Sequence, residues 1–130
     1  MSDPKCARML LEAAGRDLEA LRLMGDRGSD EVFGFHVQQA AEKGLKAWIA
    51  VLGETYPLTH DIAALLDLLT TRGVDVDSFR QLAAYTPYAV TFRYEGVNPD
   101  DGPVRRAEPL AAIESLLGQV GGALNEASNG

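Results

Sequence analysis

The stretch His36-Val37-Gln38-Gln39-Ala40-Ala41-Glu42-Lys43-Gly44-Leu45-Lys46-Ala47 sets the fold class. It lies within a longer apolar line, Phe33, Val37, Ala41, Leu45, Trp48 and Leu52, which advances in steps of three and four and has no proline inside it. That spacing is the period of a helix that buries one face. Gly53 stops it. Phe35, Ile49 and Val51 fall outside the line, so this helix is apolar on more than one side. The spacing therefore predicts a central helix, or one that also meets a second subunit.

Working outward, Asp3-Pro4 reads as an N-cap followed by proline at the first helical position. Leu11, Ala14, Leu18 and Leu21 give a first amphipathic helix, closed by Gly25 and Gly28. Ser29 caps the second helix, with Asp30 and Glu31 placed against its dipole. Residues 54–59 form a loop around Pro57. Thr59 is the expected cap of a third helix, with Asp61 in its first turn, Ile62, Leu65, Leu66 and Leu69 on its buried side, and Gly73 at its end. A fourth helix starts at Asp75 or Asp77 and runs through Phe79, Leu82 and Ala83, with Pro87 breaking it near Thr86. Residues 85–102 are irregular. A fifth helix runs from Pro103 or Pro109 to Leu124. Alternation of apolar and polar residues is nearly absent. The expectation is an all-α fold, an up-and-down antiparallel bundle of four to five helices over residues 1–124, with a disordered tail at 125–130.

Bulk composition narrows the function classes. Hydrophobic residues make up 46% and charged residues 24%, which describes a globular chain rather than a disordered one. The net charge of −7 argues against a general coat for duplex DNA, because phosphate affinity needs clustered Lys and Arg. One cysteine, Cys6, cannot form an internal disulfide. The chain opens without an apolar signal core, and no run approaches the roughly 18 apolar residues of a spanning helix. A cytoplasmic protein with no membrane association is expected. Two His and one Cys make a dedicated metal site improbable, and no Gly-rich phosphate loop or Gly-x-Ser-x-Gly elbow is present. No cofactor is expected.

Three places carry candidate chemistry. His36, Gln39, Lys43 and Lys46 share one flank of the second helix, within side-chain reach of one another. Two ammonium groups and an imidazole can hold a phosphate, and an amide can read a base or sugar edge; the alternative is a solvated polar face. His60, in Thr59-His60-Asp61, is a second titratable group at a helix start, or part of a helix cap. Arg93-Tyr94, preceded by Tyr85, Tyr88 and Phe92, can meet a phosphate and stack on a base, or plug the end of the bundle.

In order along the chain, the Ala14-x-x-Asp17-Leu18 register, His36-x-Gln38-Gln39-Ala40-x-Glu42-Lys43-x-Leu45-Lys46-Ala47, Gly53, Thr59-His60-Asp61-Ile62, Leu65-Leu66 and Thr91-x-Arg93-Tyr94 resemble, over roughly residues 7–124, the HEPN family (higher eukaryotes and prokaryotes nucleotide-binding), in its free-standing prokaryotic branch. The resemblance implies a helical bundle that forms a homodimer and often partners a small nucleotidyltransferase in a toxin–antitoxin-like pair. It also implies that the bundle helps bind substrate or nucleotide. Other members of the family are ribonuclease toxins that carry Arg, four to six residues, then His. Here Arg93 leads into Tyr94-Glu95-Gly96-Val97-Asn98-Pro99, with no His, and neither His36 nor His60 has an Arg at that distance ahead. The usual proline after Arg-Tyr is Glu95. The expected function is thus non-catalytic binding of a nucleotide or other phosphate-bearing ligand by His36, Gln39, Lys43, Lys46, His60, Arg93 and Tyr94, with no catalytic or metal-binding residue. The alternative is a ribonuclease toxin with a non-standard site built from His36, His60 and Arg93.

Overall fold

Asp3 caps the first helix as its residue type demands, its carboxylate accepting the Cys6 amide at 3.1 Å, with Pro4 beginning the helix. In the computed structural model, which describes residues 3–89 and 105–129, the order is α1 (Pro4–Met24), α2 (Asp30–Val51), α3 (Ile62–Thr71), a 3-10 helix (Asp77–Ala89) and α4 (Ala107–Asn129). No strand occurs among the described residues, and the fold is an all-α bundle.

α2 is the axis of that bundle and packs on every other helix. Phe33, Val37, Ala41, Leu45 and Trp48 are buried as their spacing predicts, and so are Ile49 and Val51 on the other sides. Leu52, the last residue of the expected line, is instead partly exposed just past the helix end. Ala14, Leu18 and Leu21 of α1, Ile62, Leu65, Leu66 and Leu69 of α3, and Ile113, Leu116 and Val120 of α4 close around it. Each fully buried Leu, Ile or Phe contributes about 1.5–3 kcal/mol. Small residues allow the tightest approaches. Asp3 N donates to Ala50 O at 2.9 Å, so α1 starts where α2 ends, and Ala7, Ala50 and Leu124 pack together there. At the other end, Arg22 of α1 meets Glu114 of α4 at 2.7 Å.

The 52–61 connection is more than a turn. Gly53 takes φ 80°, a left-handed conformation that an L side chain rarely adopts, and so ends α2. The chain then doubles back along α2, bringing Tyr56 beside Lys46 and His60 beside Glu42, before α3 returns toward the end of α2, where Arg72 pairs with Glu54. The cap of α3 is Asp61, accepting from Ala63 N at 3.1 Å, and not Thr59, whose Oγ1 accepts from Asp61 N at 3.0 Å. His60 therefore stands in the loop rather than at the helix start. Thr86, from the 3-10 helix, accepts the Ile62 amide at 3.1 Å.

The expected fourth α-helix is a 3-10 helix that runs on through Pro87. Its apolar residues explain the tighter winding. Phe79, Leu82, Tyr85 and Tyr88 recur every three residues, in step with Val76 just before the helix, and three residues per turn keeps Phe79, Leu82 and Tyr85 in one row against the core. At its far end, the Tyr88 ring lies on Gly34 of α2. α4 starts at Ala107, two residues ahead of Pro109, and continues through Asn129, so the expected tail is helical over residues 125–129.

Candidate functional site

Asp17 is the first organising group. It sits on α1 with its side chain 10% exposed, facing the polar flank of α2. Its Oδ2 accepts from Lys43 Nζ at 2.7 Å, and its Oδ1 lies 2.9 Å from His36 Nδ1. A carboxylate at neutral pH only accepts hydrogen bonds, so Nδ1 carries the proton and Nε2 is left as the other ring position. Phe35 meets the same imidazole edge-on at 5.5 Å, which helps hold the ring.

Glu42 organises a second cluster on the same helix. Its Oε1 accepts from Gln38 Nε2 at 2.8 Å and pairs with His60 Nδ1 at 2.7 Å; its Oε2 accepts from Lys46 Nζ at 2.9 Å. Gln39 Nε2 donates to Gln38 Oε1 at 2.6 Å and extends the chain outward. Burial acts to raise the Glu42 carboxyl. The hydrogen bonds from His60, Lys46 and Gln38, with the Lys46 charge, outweigh it and hold the group below its ordinary value of 4.5. Glu42 therefore stays ionised at neutral pH.

The two clusters share a plan. A largely buried carboxylate binds one lysine and one histidine and fixes each imidazole with Nδ1 protonated. Two carboxylates balance two ammonium groups. Lys43 and Lys46 are thus not bare cations: both fold back onto acids, and Lys46 also packs 5.6 Å from the centroid of the Tyr56 ring. The lysine side chains differ in access, Lys43 at 30% exposed and Lys46 at 10%. No buried side-chain polar atom among the described residues lacks a partner.

Of the residues expected to bind a ligand, the structure brings His36, Gln39, Lys43, Lys46 and His60 onto one strip along α2. His60 arrives there through the doubled-back loop and keeps its side chain 65% exposed. Arg93 and Tyr94 lie outside the described residues. Sequence reasoning missed Asp17, Glu42 and Gln38 as members of the strip. For Glu42 the signal was present, since Glu followed four residues later by Lys is the favoured helical ion pair. Asp17 stands in the family-like register of α1, but its pairing with His36 and Lys43 had no local signal, because those partners are on another helix. Among the described residues no group of three or more His, Cys, Asp or Glu could hold a metal ion, and no helix is long and apolar enough to cross a membrane.

No curated protein and no solved structure matches this chain significantly. A family model does, that of the HEPN domain, over residues 7–117, a span that takes in most of α1, all of α2, α3 and the 3-10 helix, both carboxylate clusters and the first half of α4. The chain belongs to the HEPN domain family.

Proposed function

We propose that this chain is a non-catalytic HEPN domain that binds a nucleotide or other phosphate-bearing ligand along the α2 strip, works as a homodimer, and partners a small nucleotidyltransferase. The observation that carries the reading is the ordered strip itself. Each lysine spends one of its three donors on a carboxylate and retains two. Each imidazole commits Nδ1 to its carboxylate and keeps Nε2 for a further partner, and Gln39 supplies an amide whose oxygen no described residue uses. Such a row can engage phosphate oxygens and a sugar or base edge together, and its rotamers are already fixed by the carboxylates beneath. Lys43 is the main phosphate contact because it is the more accessible lysine. The absence of Arg, four to six residues, then His supports a binding role over cleavage.

The test removes charge in matched pairs so that no ion is left orphaned. Lys43→Gln combined with Asp17→Asn is expected to weaken ATP or GTP binding at least tenfold by calorimetry, with helicity unchanged. Equal affinity in the wild type and the double variant would count against the reading. Co-expression with a nucleotidyltransferase encoded alongside should yield a complex that co-elutes on size exclusion, and native mass spectrometry should find a dimer.

A ribonuclease reading draws on the Asp17–His36 and Glu42–His60 pairs, since an imidazole held by a carboxylate presents Nε2 as a general base. Purified protein that cleaves total RNA, and loses that activity in His60→Ala, would replace the binding reading.

A further inference from the structure

An open groove of about 510 Å³ runs along α1 between Asp3 and Arg16, with Tyr56 of the 52–61 connection also on its lining. Its size falls within the roughly 300–1,000 Å³ of ligand pockets. Its walls are of two kinds. Met9, Leu10 and Ala13 form an apolar face, with Met9 63% exposed although nothing in the described chain covers it. Tyr56 also lines it, its hydroxyl 3.8 Å from Cys6 Sγ and its ring centroid 5.6 Å from Lys46 Nζ. The two remaining basic lining residues, Lys5 and Arg16, stand on the same side of α1, about 16 Å apart along its axis at 1.5 Å per residue. Neither makes an ion pair among the described residues, unlike Lys43 and Lys46. The one acid on the lining, Asp3, is committed to capping α1. In a chain of net charge −7, an apolar slot rimmed by two unpaired cations is a local reversal of the surface.

We infer that this groove is a binding site for a flat organic anion, whose ring system lies between the Met9–Ala13 face and Tyr56 while Arg16 or Lys5 takes its charge. The thioether of Met9 adapts to irregular ring shapes and favours sulfur–aromatic contact, and Tyr56 offers a rigid surface at low entropic cost. The shared chemistry fits both a nucleoside phosphate and an aryl carboxylate. The site goes beyond the α2 strip; the two adjoin where Tyr56 meets Lys46, and the charge contacts Lys5 and Arg16 belong to α1.

The test uses the full chain with 13C-methyl methionine, titrated separately with AMP and with indole-3-acetate. The Met9 methyl resonance should shift saturably with at least one of them while Met24 stays still. AMP alone acting marks the site as nucleotide-directed; indole-3-acetate alone acting marks it as an aryl-acid site. Lys5→Gln with Arg16→Gln should weaken the effective probe at least tenfold. Both side chains are exposed, so the fold should be untouched by circular dichroism. Lys43→Gln should leave the Met9 titration unchanged, which separates this site from the strip. A Met9 resonance unmoved by either probe overturns the inference, as does undiminished binding in the double variant or equal binding of uncharged adenosine or indole.

Discussion

Lys46 Nζ lies 2.9 Å from Glu42 Oε2, one helical turn away, and the two side chains are only 10% and 11% exposed. Two such charges out of water are tolerable only while both remain. Lys46→Met leaves Glu42 with Gln38 and His60 but without its full countercharge, and should cost about 3–5 kcal/mol. Glu42→Gln strands the ammonium and should cost a similar amount. The double variant Lys46→Met/Glu42→Gln should lose less than the sum of the two, with a coupling of about 1–3 kcal/mol in urea unfolding. Additive losses would show that the pair does not act as a unit.

The same carboxylate sets a pH dependence. Glu42 is held below 4.5 in the folded chain, so the unfolded chain binds its proton first as the medium is acidified. Its stabilising contribution is fully present above the unfolded value and is lost as pH falls through 4.5 and on through the folded value. Unfolding free energies measured from about pH 6 down to pH 3 should therefore fall less steeply in Glu42→Gln than in the wild type. Parallel slopes would assign the acid sensitivity to other carboxylates.

Arg106 fixes the start of α4. Its guanidinium donates to Gly25 O, Arg27 O and Gly28 O at 3.0, 2.6 and 2.9 Å, and to Asp30 Oδ1 at 3.0 Å, while stacking 4.7 Å from the Phe33 ring centroid. One planar fork thus holds the whole turn between α1 and α2. Lysine has neither the fork nor the plane, so Arg106→Lys should fail almost as badly as Arg106→Ala, each costing about 2–3 kcal/mol. Amide exchange should accelerate at residues 25–30 in both variants. Exchange confined to the start of α4 would show that the fork does not hold the turn.

What the sequence discloses follows from how local each interaction is. The buried faces of α1, α2 and α3 are legible because each depends on one helix's own period. The apolar row at 76, 79, 82, 85 and 88 was equally local, yet an α reading absorbs its first members and only the strict step of three distinguishes a 3-10 helix. The strip was half legible. His36, Gln39, Lys43 and Lys46 share a flank by helical geometry, and Glu42–Lys46 is a pair within one helix. That Asp17 faces Lys43 depends on how α1 is rotated against α2, and that His60 reaches Glu42 depends on a loop returning along α2; no local spacing encodes either. A reading that counts cations without their cross-helix acids therefore overstates the positive charge available to a ligand.

Gly34 and Gly15 give a paired test of close packing. A Cβ added at Gly34 would run into the Tyr88 ring, which is itself stacked 5.6 Å from Tyr85 and so is not free to swing away. A Cβ at Gly15, on α1, meets nothing within 4 Å. Alanine has a helix-propensity advantage over glycine of up to about 1 kcal/mol at both positions. Gly15→Ala should therefore stabilise by up to that amount. Gly34→Ala should destabilise by about 1–2 kcal/mol, because overpacking outweighs the propensity gain. In a Tyr88→Ala background the obstruction is gone, and the sign at position 34 should reverse. If Gly34→Ala raised the melting temperature with Tyr88 still in place, the 3-10 helix would not be seated against α2 as described.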